Sequence, residues 1–291
     1  MRSFILGTDW GEDVDDCLAV RILLRAHKKG EIDLLGVGIN TRTELSCSSL
    51  YAFMENEGVI VPIGIDKTSD CQVQNISYQK ILAPLAPPSM TNDHFEDAVR
   101  LYRRLIAQAK GKVEILEIGF MQVINGALMS GADDISPKTG MELFSEKVER
   151  VWSMGGKWDQ QGGLEYNYSH YPFTREGTHS FVKNCPVPIT FLGWEIGSGV
   201  ITGGSASDDD ILARALIAWG GEKGRESWDP MLAHLALCGS PELAGYDCVN
   251  GRASVDSDGK NYFEIGNGPH QYVIKAKPDS YYINEINNLV K

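Results

Sequence analysis

The chain has 291 residues, 43% of them hydrophobic, and a formal net charge of −12. This length and apolar content suffice for one large core, so we expect a single domain over residues 1–291. The acidic balance argues against nucleic acid as a partner, because contacts to phosphates need clustered Lys and Arg, and it favours a neutral or cationic small molecule. With no run of eighteen apolar residues and no room for a signal peptide before the first apolar run, the sequence predicts a cytoplasmic protein that makes no contact with a membrane.

Short apolar runs alternate with amphipathic stretches along most of the chain. The apolar runs predict strands over residues 3–7, 33–39, 61–65, 113–118, 148–154 and 188–193. The amphipathic stretches between them predict helices that include residues 15–29, 45–57, 93–110 and 174–184. This alternation indicates an α/β fold with a mainly parallel central sheet and helices on both faces. In open sheets of this kind, ligands bind outside the carboxyl ends of the strands.

Two regions depart from this alternation. Residues 66–92 lack periodicity and contain Pro84, Pro87 and Pro88, so we expect a long loop or an irregular lid there. Residues 245–276 hold short β-prone pieces around the turn signal Asp258-Gly259. They predict a C-terminal antiparallel hairpin, followed by a last helix over residues 278–289.

The strongest functional signal is an acidic cluster directly after the first predicted strand. Residues 7–16 read GTDWGEDVDD and contain no Lys, Arg or His. Burying these carboxylates together without a cation would cause severe repulsion, and ligands that are all oxygen favour Ca²⁺ or Mg²⁺ over zinc. An acidic helix N-terminus would explain one or two of the aspartates through the helix dipole. The cluster therefore predicts a metal or catalytic site, and its members are Asp9, Glu12, Asp13, Asp15 and Asp16.

Two further motifs place polar side chains after later predicted strands. Glu165 and Asn167 follow the glycine-rich stretch that begins at Met154. On extended backbone they point the same way and could hold adjacent hydroxyls of a sugar, although ordinary surface side chains are the alternative. Asp229, followed by a proline, opens an apolar helix-like run. It is interpreted either as a helix cap or as a metal ligand.

In this order, the motifs resemble those of the calcium-dependent, inosine/uridine-preferring nucleoside hydrolase family over nearly the whole chain. The family's opening Asp-x-Asp-Pro-Gly-x-Asp-Asp is similar to residues 7–16, with two residues added before the Asp pair. Residues 119–122 (GFMQ) resemble the family's Gly-Pro-Leu-Thr turn, and residues 154–156 resemble its Met-Gly-Gly. Residues 165–167 (EYN) are similar to its Glu-Phe-Asn, and residues 227–230 (SWDP) to its His-Asp-Pro.

The resemblance implies a role for each matching residue. Ca²⁺ would be bound by Asp9, Asp16, Asp229 and the backbone carbonyl of Gln122, and Asp9 would also be the general base towards the attacking water. Attack at the anomeric carbon, through an oxocarbenium-like transition state, would release base and ribose. The expected partner is a small nucleoside or riboside, and the expected assembly is a homo-oligomer, a dimer or tetramer. The substrate would be held by Asp15, Met154, Glu165, Asn167, Trp228 and Asp229.

The chain departs from the family pattern at positions that concern the leaving group. Trp228 stands where the best-known members carry a His that helps to protonate the departing base, and Gly7 stands in place of an Asp. An indole cannot act as a general acid at neutral pH, although it can stack on a base. A substitute acid would be sought among His94, His170 and His179, with surface or structurally satisfied histidines as the alternative.

The sequence leaves three hypotheses for the activity. The first is Ca²⁺-dependent hydrolysis of the N-glycosidic bond of a nucleoside or a nucleoside-like substrate. The second is a ribose- or nucleoside-binding protein that keeps the metal cage but has lost hydrolysis together with the His. The third is hydrolysis of another glycosidic bond, whose leaving group needs no protonation. Asp9 favours an enzyme, because a pure binding protein needs no base beside the metal.

Overall fold

The computed structural model describes residues 1–204, 207 and 209–291. Its strands are β1 (Arg2–Thr8), β2 (Ile32–Ile39), β3 (Ile63–Ile65), β4 (Glu96–Asp97), β5 (Val113–Glu117), β6 (Val148–Met154), β7 (Ile189–Leu192), β8 (Ile201–Gly203), β9 (Gly224–Glu226), β10 (Tyr246–Val255), β11 (Asn261–Ile265) and β12 (His270–Lys275). Ten of them form one sheet in the order β11-β10-β12-β7-β6-β5-β1-β2-β3-β4, while β8 and β9 form a separate antiparallel ribbon.

Helices connect most of these strands. They are α1 (Asp15–Lys28), α2 (Ser46–Glu57), α3 (Ser77–Leu82), α4 (Ala98–Gln108), α5 (Gln122–Met129), α6 (Gly140–Lys147), α7 (Tyr166–Ser169), α8 (Pro172–Asn184), α9 (Trp194–Gly197), α10 (Ile211–Trp219), α11 (Trp228–Cys238) and α12 (Asp279–Val290). Across the described residues, none of these helices combines the length and the apolar character that a membrane crossing requires.

The direction of the strands confirms the predicted fold class. Every neighbouring pair from β12 to β4 is parallel, whereas β10 is antiparallel to both β11 and β12. The predicted C-terminal hairpin is therefore the β10–β11 pair, and the last helix follows as α12. All five residues of β5 are buried. Such burial on both faces explains why the parallel strands read as nearly continuous apolar runs.

Two apolar clusters lie on opposite faces of the sheet. Because side chains alternate along a strand, Phe4 and Leu6 of β1 belong to one cluster and Ile5 belongs to the other. Helices α1, α2, α11 and α12 pack into the first cluster, and α4, α5, α6 and α8 pack into the second. The prediction of helices on both faces is thus confirmed.

The region predicted as a long loop, residues 66–92, contains a short helix. Tyr78 and Leu82 of α3 are fully buried, and the Tyr78 ring packs edge-on against Trp10 with ring centroids 5.4 Å apart. A helix of six residues is too short to show a period of 3.6 residues, so no periodic pattern in the sequence marks it. The irregular character of the rest of the segment agrees with the prediction.

Helix α4 begins later than the predicted helix over residues 93–110. The Asp97 side chain accepts hydrogen bonds from the backbone N–H groups of Val99 and Arg100, at 3.0 and 3.2 Å, and so caps the helix. Asp97 itself is extended and belongs to the edge strand β4. The predicted start at residue 93 was therefore wrong by five residues.

Candidate active site

A cavity of about 330 Å³ opens at the carboxyl ends of four adjacent strands, β7, β6, β5 and β1. Ligands are expected at this edge of a parallel sheet, because loops from sequence-distant strands meet there. The residues that line it are Asp9, Glu12, Asp13, Asp15, Ile118, Met154, Glu165, Tyr166, Asn167, Trp194, Arg225, Trp228 and Asp229.

Three aspartates converge at the base of this cavity. Asp9, Asp16 and Asp229 each offer a carboxylate oxygen, and these oxygens lie within 4.8 Å of one another. All three side chains are buried. Asp9 follows β1, Asp16 lies in the first turn of α1, and Asp229 lies in the first turn of α11. A helix N-terminus stabilises a carboxylate through its free N–H groups and its dipole, so both helices favour acidic side chains at these positions.

Hydrogen bonds orient the carboxylates around this point. The Thr8 hydroxyl donates to Oδ1 of Asp16. The backbone N–H of Asp229 donates to Oδ2 of Asp15, at 3.1 Å, and joins the two helix starts. Oδ2 of Asp16 is buried and has no hydrogen-bond partner among the described residues. A buried carboxylate oxygen without a partner is costly, and a cation would satisfy it.

Electrostatics support the same interpretation. Burial, reinforced by the neighbouring carboxylates, raises the pKa of Asp9, Asp15, Asp16 and Asp229 well above the usual range for aspartate. The ionised forms therefore need a positive partner. An all-oxygen donor set of this kind fits a hard divalent cation such as Ca²⁺ or Mg²⁺.

Glu165 and Asn167 line the same cavity as Asp9 and Asp229. Oε2 of Glu165 accepts from the backbone N–H of Gly156 at 2.9 Å, and Nδ2 of Asn167 donates to the Met154 carbonyl at 3.3 Å. Gly156 has φ of +79°, a conformation that favours glycine and brings its N–H to the carboxylate. Burial raises the pKa of Glu165 to about 7. Both side chains remain able to hold hydroxyl groups.

Two indole rings form an aromatic wall. Trp194 and Trp228 are stacked with centroids 6.4 Å apart, and Nε1 of Trp228 donates to the Trp194 carbonyl at 2.7 Å. Arg225 lies over the Trp228 ring, 5.3 Å from its centroid, and pairs with Asp13 at 2.6 Å. Trp228 is only partly buried and lines the cavity. The sequence did not point to Trp194, which only the fold brings beside Trp228.

Glu12 is a further lining residue whose partners are distant in sequence. Its carboxylate accepts hydrogen bonds from the hydroxyls of Tyr166 and Tyr171, at 3.0 and 2.9 Å. Burial raises the pKa of Glu12. These contacts join the loop between β1 and α1 to the first residue of α7 and to the residue that precedes α8. In the sequence, Glu12 stands out only as one member of the acidic cluster, and nothing there predicts its contacts with the two tyrosines.

The other predicted residues lie apart from the cavity. Among the described residues that line it, neither Gln122 nor any histidine is present. The Gln122 side chain donates to the Asn40 carbonyl at 2.6 Å, and its own backbone carbonyl as a metal ligand stays a prediction. His94 is exposed, and Nδ1 of His179 lies 2.6 Å from the Val255 carbonyl, a structural contact. His170 stacks on Tyr166 with centroids 4.0 Å apart and is the histidine nearest to the lining among these three.

A buried carboxylate fills the space beside Gly7. A Cβ at position 7 would lie 2.1 Å from Oε1 of Glu117, on the neighbouring strand β5. Glu117 is fully buried, accepts from Nδ2 of Asn40 at 2.7 Å, and has its pKa raised to about 8 by burial. Oδ1 of Asn40 in turn accepts from the Phe120 N–H at 3.1 Å. Glu117 thus places a buried carboxylate of β5 directly beside Gly7 of β1.

The close approach of Glu117 to Gly7 leads to a prediction about stability. Gly7→Asp should destabilise the protein by roughly 2–4 kcal/mol, because it overpacks the strand pair and buries a second carboxylate beside Glu117. Adding Glu117→Gly should recover more than half of that loss. Urea unfolding would measure both variants, with Gly111→Asp as the control, since no atom of the described residues lies within 4 Å of a Cβ there. If the double variant were no more stable than Gly7→Asp alone, crowding by Glu117 would not be the cause of the loss.

Comparison with known proteins gives structural matches only. No model of a protein family matches the sequence, and no curated protein matches it. The inosine-uridine preferring nucleoside hydrolase from Bacillus anthracis is 16% identical, with a TM-score of 0.72 over 100% of this chain and 99% of that chain. An inosine-guanosine nucleoside hydrolase is 12% identical, with a TM-score of 0.73 over 100% and 99%. The type III effector protein XopQ, complexed with adenosine diphosphate ribose, is 14% identical, with a TM-score of 0.72 over 100% and 93%.

The chain therefore has the nucleoside hydrolase fold. This fold supports a hydrolase-like architecture, and the buried triad of Asp9, Asp16 and Asp229 is suited to a metal ion. Since one fold can carry different activities, the activity of this chain depends on the residues of its site.

Proposed function

We propose that this protein hydrolyses the N-glycosidic bond of a nucleoside or a closely related riboside, with Ca²⁺ as its cofactor. The observation that carries the proposal is the convergence of the Asp9, Asp16 and Asp229 carboxylates within 4.8 Å, at the ligand-binding edge of a nucleoside hydrolase fold. We also expect a cytoplasmic homo-oligomer of single-domain subunits.

In this mechanism Asp9 accepts a proton from the attacking water. Asp15, Glu165, Asn167 and Asp229 hold the ribose hydroxyls, so that the anomeric carbon faces that water. The ion, when bound among Asp9, Asp16 and Asp229, supplies Lewis acidity that makes the water a better nucleophile. Met154 packs at the floor of the cavity beside Asn167, where its sulfur lies 3.2 Å from Nδ2 of that residue.

The test is a substrate panel. Purified protein with Ca²⁺ would be incubated with inosine, guanosine, adenosine, uridine, cytidine and p-nitrophenyl riboside, and both free aglycone and reducing sugar would be followed. The proposal expects equal amounts of the two products from at least one substrate. Folded protein that releases neither product from any of the six would overturn it.

A second candidate is binding of a riboside without turnover. Two observations favour it: no histidine lines the cavity in the described part of the chain, and the similar structure of XopQ holds adenosine diphosphate ribose. Calorimetry with adenosine diphosphate ribose and with inosine would separate the candidates. Binding without release of reducing sugar would favour this second candidate.

Trp228 allows a test of how the leaving group is handled. Because its indole lines the cavity, Trp228→His should raise the ratio of inosine cleavage to nitrophenyl riboside cleavage by about tenfold or more, since a general acid helps only the poorer leaving group. If Trp228 merely fills core space, the variant should lose stability while the ratio stays constant. Trp219→His, in a half-buried ring that packs on Tyr78 outside the cavity, is the matched control.

A further inference from the structure

The charge of the cavity wall bears on the kind of leaving group that the site accepts. Within the described residues, Arg225 is the one basic side chain in the lining. It is already paired with Asp13, at 2.6 Å. The acidic side chains of the lining are Asp9, Glu12, Asp13, Asp15, Glu165 and Asp229.

Under the proposed function, each of these carboxylates except Glu12 has either an assigned role or an ion pair, since Asp13 pairs with Arg225. A divalent ion would neutralise Asp9 and Asp229, while Asp15 and Glu165 would hold ribose hydroxyls. Glu12 has neither role. Within the described part of the chain, it accepts hydrogen bonds from the hydroxyls of Tyr166 and Tyr171 and from no other group, and hydroxyls stabilise a carboxylate without neutralising it.

The aromatic rings around this carboxylate suit a planar cation. Tyr166 and Trp194, which are 43% and 40% exposed, line the cavity together with Trp228. The two indoles already interact with cations of the protein, since Lys157 lies 4.6 Å from the Trp194 ring centroid and Arg225 lies 5.3 Å from that of Trp228. Aromatic faces beside a carboxylate form a favourable environment for a flat cationic ring.

We propose that the leaving group is a cationic nitrogen heterocycle, as in an N-ribosyl pyridinium, and that Glu12 is its counter-ion. This inference rests on the proposed function. Water attacks the anomeric carbon, the C–N bond breaks, and its electron pair neutralises the ring nitrogen. The heterocycle leaves as a neutral molecule, and the proton of the water passes to Asp9. No acid is needed at the leaving group, which agrees with a lining that, among the described residues, holds no histidine.

The test compares three substrates with one enzyme. Nicotinamide riboside is the cationic probe, p-nitrophenyl riboside is a neutral substrate with a good leaving group, and inosine is a neutral substrate with a poor one. We expect kcat/KM for nicotinamide riboside to exceed that for inosine by 100-fold or more, on the order of what one missing general acid costs. Glu12→Gln should lower the ratio of nicotinamide riboside to nitrophenyl riboside cleavage about tenfold. Glu149→Gln, a half-exposed residue at the start of β6 paired with Lys112, should leave that ratio unchanged.

Inhibition of the wild-type enzyme separates charge recognition from leaving-group ability. 1-Methylnicotinamide carries the pyridinium charge and nicotinamide does not, so the first should inhibit nitrophenyl riboside cleavage about tenfold more strongly. This comparison also decides the matter if Glu12→Gln fails to fold.

The possible outcomes test the cationic leaving group and the hydrolase activity separately. Cleavage of nitrophenyl riboside, with nicotinamide riboside cleaved no faster than inosine, would overturn the cationic leaving group and leave the hydrolase intact. Equal inhibition by the two nicotinamides would overturn the role of charge. Failure to cleave nicotinamide riboside would overturn the cationic leaving group alone, whereas failure to cleave it or any of the six substrates of the panel would overturn both proposals.

Discussion

Asp9→Asn is expected to lower kcat by about 10²–10⁴-fold, the usual cost of losing a general base. An amide keeps an oxygen that can contact a cation, but it cannot accept a proton from water. Asp9 is buried directly after β1, and its carboxylate lies within 4.8 Å of those of Asp16 and Asp229. Binding of ribose, measured as competitive inhibition, should weaken far less than turnover.

The control for this variant is Asp33→Asn, at the start of β2, where the side chain is 40% exposed. It should keep wild-type turnover. Near-normal turnover of Asp9→Asn, on a substrate that the wild type cleaves, would show that another group accepts the proton.

The second large effect is on stability. Saturating Ca²⁺ should raise the melting temperature by about 5–10 °C, because a ligand at 100 times its Kd stabilises the folded state by roughly 2.7 kcal/mol. The cation would relieve the repulsion among three buried carboxylates and satisfy Oδ2 of Asp16, for which the described residues offer no hydrogen-bond donor. Asp16→Ala should abolish the calcium response while the variant still folds.

Chelation provides the reverse experiment. EDTA added to calcium-loaded wild type should lower its melting temperature to that of the apoprotein. An unchanged melting curve would contradict the metal site, provided that calcium was present in the sample at the start. The same titration with Mg²⁺ would show which of the two hard cations the site prefers.

The parallel sheet could be predicted because its strands are short, apolar and regularly separated by amphipathic stretches. Helix α3 could not, since its burial depends on Trp10 and on helices that are distant in sequence. The start of α4 was predicted wrongly, although Asp97 is of a residue type that commonly caps a helix N-terminus and so marks this start in the sequence. The expectation of a single domain over residues 1–291 stays a prediction.

In the candidate site, too, some features could be predicted from the sequence and others depend on the fold. Asp9, Asp15 and Asp16 lie within one short stretch, residues 9–16, so repulsion among them is visible in the sequence itself. The contacts of Glu12 with Tyr166 and Tyr171 cross more than 150 positions and depend on the loops at one sheet edge. No local pattern marks such pairs. The contact between Gly7 and Glu117 likewise could not be predicted from the sequence, because it follows from the pairing register of β1 and β5.

The carboxylates of Asp9, Asp16 and Asp229 are proposed to support metal-dependent hydrolysis of a riboside. The decisive measurement is the initial rate of p-nitrophenolate release from p-nitrophenyl riboside by wild-type protein, with Ca²⁺ and after chelation. We expect a saturable rate that Ca²⁺ restores after chelation, with one reducing sugar formed per nitrophenolate. A rate equal to that of buffer, from calcium-loaded and folded protein, would refute the proposed metal-dependent hydrolysis of this riboside.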